Sequence, residues 1–146
     1  LLQVKDKTKY SGFSDINEKF FIRGCQQFYN HEKCGDLIKA IEARKKFQFD
    51  YLIYIRPDLF FSEPCGNISD YSQNKLTLGK GPDFEGHNID HIAIIPKKYK
   101  YDFLFGKMNL IRTNTKHHFY KSEQIYWHNT PDSYEIRPIG KHEIKR

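Results

Sequence analysis

Arg56, Pro57 and Asp58 follow directly on the apolar run Tyr51-Leu-Ile-Tyr-Ile55, and they are the residues of this chain best placed to do chemistry. A guanidinium and a carboxylate are costly at the end of so apolar a run unless that end opens onto a ligand or a partner charge. Pro57 fixes its own φ and holds Arg56 extended, so the run continues through Arg56 and then turns, leaving little backbone freedom at Asp58. Two outcomes are consistent with this. A rim carboxylate beside a guanidinium can hold a divalent cation against a diphosphate, because Mg²⁺ or Mn²⁺ needs only one or two protein oxygens when phosphate and water supply the rest. Alternatively, Arg56 pairs with Asp58 or Asp50 and merely ends the strand. Other candidates are weaker. His87 and His91 are four residues apart on the way into a strand, where that spacing does not bring ligands together, so zinc is not expected. Cys25, Cys34 and Cys65 are odd in number and form no C-x-x-C pair, which argues against a disulfide scaffold and leans toward a reducing, cytoplasmic setting.

The elements that must position Arg56 and Asp58 are legible around them. Residues 1–14 read as an irregular loop. Asp15 can cap a helix carrying Ile16, Phe20, Phe21, Cys25 and Phe28. His31–Lys46 reads as a second helix, of about four turns, with Cys34, Leu37, Ile38 and Ile41 on its apolar face. Cys34 is then a buried thiol, and Glu32, Lys33, Lys39, Glu42 and Arg44 form a solvated face. Tyr51–Ile55 reads as a strand buried on both faces of a largely parallel sheet. Lys75–Leu78, Ile89–Ile95 and Tyr134–Ile139 supply further strands, with helix around Lys107–Arg112 and across Ser122–His128. The sum is one α/β domain with at least four helices and three or four strands. Ligands of open α/β sheets gather at the carboxyl ends of strands, where Arg56-Pro57-Asp58 falls.

The chain has 146 residues, 38% hydrophobic and 29% charged, with a formal net charge of +6, enough apolar matter for one core and no run long enough for a membrane span. The positive charge invites a polyanion reading. The basic residues are scattered, however, and a basic surface equally suits an anionic small substrate, so nucleic acid is not the expected partner.

The block from Cys34 to Phe61, ending F-D-Y-L-I-Y-I-R-P-D-L-F-F, resembles small glycosyltransferases and glycosyltransferase-like proteins of GT-A type, in which a strand of this form stands where relatives carry D-x-D. Tyr101-Asp-Phe-Leu-Phe-Gly106, with Met108 after it, is similar to the N-D-x-F-x-x-G segment of these proteins. Ser122-Glu-Gln-Ile-Tyr-Trp-His128 is similar to their S-E-x-x-L helix, and Tyr134–Arg137 to their closing strand. The likeness runs in order from Phe28 to Arg137. It implies a GT-A-like mixed sheet flanked by helices, a single partial domain over 1–146 with its α/β core at 15–146, and N-terminal strands lying upstream of Leu1, so that the visible chain is a C-terminal fragment. It further implies transfer of a sugar from a nucleotide-sugar donor to a glycan or other hydroxyl acceptor. Asp58 would hold Mn²⁺ or Mg²⁺ against the donor diphosphate, Arg56 would neutralise phosphate, and Asp102 or Glu123 would take the acceptor proton. Arg56 stands where D-x-D has its first Asp, and Tyr101 replaces the expected Asn. The rival readings are a non-catalytic polyanion-binding module and an inactive glycosyltransferase-like scaffold.

Overall fold

The computed structural model describes residues 18–80, 91–113 and 133–144. Over these the architecture is mixed α/β, with a four-stranded mixed sheet, a two-stranded sheet and two α-helices. The chain divides into two compact units: residues 1–47 with 101–130, and residues 48–100 with 131–146.

The first unit is built on two helices, α1 (Glu18–Lys45) and all but the first residue of α2 (Lys100–Thr113). The expected pair of N-terminal helices is one continuous helix, because nothing between Phe28 and Glu32 interrupts hydrogen bonding: Tyr29, Asn30 and His31 all tolerate helical geometry. It ends where Lys46 turns left-handed at φ 55°, after Arg44 and Lys45 have placed positive charge at the negative end of the helix. The buried stripe of α1 runs through Cys25, Phe28, His31, Gly35 and Glu42. The expected face is only partly turned inward: Ile38 and Ile41 are half-buried, while Cys34 is exposed and Leu37 is 61% exposed. Gly35 explains the rotation. A Cβ there would lie 2.5 Å from the ring of Phe105, so the missing side chain lets α2 approach on that side. Glu42, expected in solvent, is 6% exposed. On α2 the buried positions Phe103, Leu104, Lys107, Met108 and Ile111 keep helical spacing, with one lysine inside the apolar stripe.

The second unit holds β1 (Tyr51–Ile55), β2 (Leu59–Phe61), β3 (Leu76–Gly79), β4 (Ile92–Pro96), β5 (Tyr134–Arg137) and β6 (His142–Ile144). The main sheet runs β1-β4-β3-β5, and β2 pairs with β6. β4 is antiparallel to both β1 and β3, while β3 and β5 run parallel. β1 is therefore not a central strand of a parallel sheet: among the described residues it lies at an edge, and Ile53 and Ile55 are 57% and 44% exposed. β4 takes the central place, every residue buried. Both runs are continuously apolar, and that pattern does not say which of two strands is central or which way it runs. Tyr71, Ile92, Ile94 and Ile139 form the core of this unit, with Tyr51, Leu59, Phe61 and Cys65 against it. Gly140, at φ 61°, follows that core closely; a Cβ there would come within 2.8 Å of the Glu63 carbonyl oxygen. No described helix is long and apolar enough to cross a membrane.

Candidate functional site

The end of β1 is set by backbone bonds before any side chain acts. Arg56 N–H donates to the His91 carbonyl at 2.9 Å, which carries the ladder with β4 one residue past Ile55. Leu59 N–H then donates to the Arg56 carbonyl at 3.3 Å, closing a four-residue turn over Pro57 and Asp58. This is the geometry expected of a proline that fixes φ at the second position of a turn. The turn brings the two charged side chains onto each other.

Arg56 Nε donates to Asp58 Oδ1 at 3.0 Å, and its NH2 group donates to Oδ2 at 2.7 Å. The pair is half-buried, with the side chains 28% and 40% exposed. These bonds from Arg56 hold the Asp58 carboxyl below the usual carboxylate range; burial opposes them, and the Arg56 charge and, less, His91 pull in the same direction as the bonds. Two parallel N–H···O bonds fix a guanidinium in plane as well as in position. Arg56 thus commits two of its five N–H donors to Asp58 and is aimed by it. Arg56 therefore pairs with Asp58. Asp50 sits at the far end of β1, where its carbonyl accepts from Lys97 N–H at 2.7 Å.

The expected divalent cation can be tested against this donor set. A resident Mg²⁺ or Mn²⁺ would have to share the Asp58 oxygens with the guanidinium that bonds both of them, and would lie beside its positive charge. Among the described residues no group of three His, Cys, Asp or Glu gathers to hold a metal. The residues at Asp58 suit an oriented guanidinium better than a cation, and no step below is routed through a metal.

Asp102 belongs to the other unit. It stands exposed in the first turn of α2, where a carboxylate is favoured by the helix dipole, and lines an open cleft of about 640 Å³. The Tyr101 and Phe105 rings form one wall, and the Lys39 ammonium lies 4.8 and 4.0 Å from their centroids. Arg112 grips Glu32 with both nitrogens at the other wall, one of them at 2.9 Å. Tyr101 O–H donates to the buried Glu42, and this bond with burial pushes the phenol up to about 12. Nothing in the sequence announces the Glu32–Arg112 pair, whose members are 80 residues apart. Glu123, Trp127 and His128 lie outside the described residues, as do His87 and the helix expected at Ser122–His128.

Comparison with known proteins adds no constraint: no family profile, no curated protein and no solved structure matches this chain.

Proposed function

We propose that this chain carries the donor-diphosphate grip of a nucleotide-sugar-dependent glycosyltransferase of GT-A type, with Arg56 as the phosphate-binding group and Asp58 as the residue that aims it. One observation carries the reading: a guanidinium held in plane by a bidentate carboxylate at the carboxyl end of an apolar strand. Arg suits this role because its planar donors match phosphate oxygens two at a time. As the sugar–phosphate bond breaks, negative charge grows on the departing diphosphate, and a pre-aimed guanidinium stabilises it without having to reorganise. The resemblance of the R-P-D strand, the Tyr101–Gly106 segment and Tyr134–Arg137, in that order, supports assigning this chemistry to sugar transfer. The acceptor-side roles of Asp102 and Glu123 rest on that resemblance alone.

Titration with uridine and guanosine diphosphates tests the reading. Binding is expected to be saturable and to change little when Mn²⁺ replaces a chelator. A generic polyanion surface would instead favour any oligonucleotide, with affinity falling steeply as salt rises. Binding that requires Mn²⁺ and disappears with Asp58→Ala would restore the metal role of Asp58 and displace Arg56 as the phosphate-binding group.

A further inference from the structure

The backbone of β1 faces two ways, and the bonds at its ends reveal which residues face where. Lys97 N–H bonds the Asp50 carbonyl and Arg56 N–H bonds the His91 carbonyl, so residues 50, 52, 54 and 56 turn their polar groups toward β4. An antiparallel ladder alternates, and Tyr51, Ile53 and Ile55 therefore turn theirs to the opposite side. Among the described residues no strand pairs with that side; no lysine, proline or bulge interrupts residues 51–55, and Ile53 and Ile55 are exposed.

We propose that this edge pairs with the same strand of a second copy, antiparallel about a twofold axis at Ile53. The two four-stranded sheets would then continue across the seam. In that register Ile53 faces Ile53 of the second copy, Tyr51 faces Ile55, Leu52 faces Tyr54, and Asp50 faces Arg56. Aromatic with β-branched and acid with base are favourable cross-strand pairs, and the twofold axis repeats each of them. The residues whose backbone groups point outward, 51, 53 and 55, meet only one another and give about six hydrogen bonds. Other registers lose this match. A slip of one sets outward-facing residues against inward-facing ones. A slip of two in one direction sets Asp50 against Asp58, and in the other direction against Tyr54. Pro57, with no N–H to donate, ends the ladder just beyond Arg56.

The test is sedimentation of the whole chain over a concentration series, combined with disulfide trapping in a Cys34→Ser background, which removes the exposed native thiol. A closed dimer is expected. Ile53→Lys and Asp50→Lys should each weaken it at least about tenfold, as edge charges do. Ile53→Cys should trap a covalent dimer, since facing residues in a ladder lie within disulfide reach, whereas Ile55→Cys, facing Tyr51, should not. Ile53 is more than half exposed, so both Ile53 variants should keep the wild-type circular dichroism spectrum; if Ile53→Lys does not, the trapping result decides. A monomer at about 100 μM, an open polymer, or equal trapping at 53 and 55 would each overturn the proposal.

Discussion

The two units of this molecule bury polar side chains on different scaffolds, one a sheet and the other a pair of helices. In the sheet unit β4 and its neighbours bury Leu76, Leu78, Ile92, Ala93 and Ile95, all at 1% exposure or less, and the unit also buries Thr77, His91 and Lys100. In the helical unit the contact between α1 and α2 includes His31, Glu42 and Lys107. His31 stacks on Phe103 at 5.8 Å and meets the edge of Phe28 at 6.2 Å. Lys107 Nζ donates to the Phe103 carbonyl at 2.6 Å and lies 3.4 Å from the ring centroid of the same residue. Burial drives the Lys107 amine well below its usual range and brings His31 down to about 3, with Lys107 contributing to the latter. The contact between α1 and α2 thus encloses two basic groups whose charged forms burial disfavours.

This contrast sets the expected effects. The largest should come from opening the sheet core: Ile92→Ala is expected to cost about 2–5 kcal/mol in chemical denaturation. Lys107→Met should act in the opposite direction, stabilising the chain by about 2 kcal/mol, because it removes a buried basic group and keeps the apolar stem. Acid should have an effect that grows as pH falls and can match that of Ile92→Ala. The folded pKa of His31 is depressed from its usual 6.5 to about 3, so the unfolded chain binds the proton first. Stability is therefore complete above about pH 6.5 and is lost as pH falls toward 3, by up to about 1.4 kcal/mol per pH unit; unfolding temperatures of His31→Leu should be flatter over that range. Tyr101 works at the other end. Its folded pKa is raised from 10.0 to about 12, so its contribution is present below pH 10 and fades as pH rises toward 12, a loss that Tyr101→Phe should not show. The smallest effect is expected at Leu37→Ala, within about 0.5 kcal/mol, since that side chain is already in solvent.

The same contrast explains which parts of the fold were legible in the sequence. The strands around Tyr51–Ile55, Lys75–Leu78, Ile89–Ile95 and Tyr134–Ile139 are all present, with β1 matching its expected bounds, β3 shifted by one residue, and β4 and β5 shorter than the runs that announced them. Their order and direction were not readable, because a continuous apolar run looks alike in parallel and antiparallel sheets. β6 was missed: His142–Ile144 is three residues long and shows no alternation, and only pairing with β2 makes it a strand. On α1 the apolar spacing of Cys34, Leu37, Ile38 and Ile41 was half right: Ile38 and Ile41 are half-buried, but Cys34 and Leu37 are exposed, with α2 packed against the Gly35 side instead. Buried Glu42 and Lys107 violate the rule that charged residues stay outside, and their partners, Tyr101 and the Phe103 carbonyl, were not evident from periodicity. At the site, the sequence identified Arg56 and Asp58 and left two outcomes open; the turn at Pro57 joined them.

The role of Asp58 separates the two outcomes most sharply in a double-mutant cycle. Affinity for uridine or guanosine diphosphate would be measured by calorimetry for the wild type, Arg56→Met, Asp58→Asn and the double variant, each with and without Mn²⁺. If Asp58 acts by aiming Arg56, Arg56→Met should lose about 10–100-fold, Asp58→Asn less, and the double variant no more than Arg56→Met alone, all independent of the metal. Losses that simply add, or that vanish when Mn²⁺ is withheld, would contradict the account.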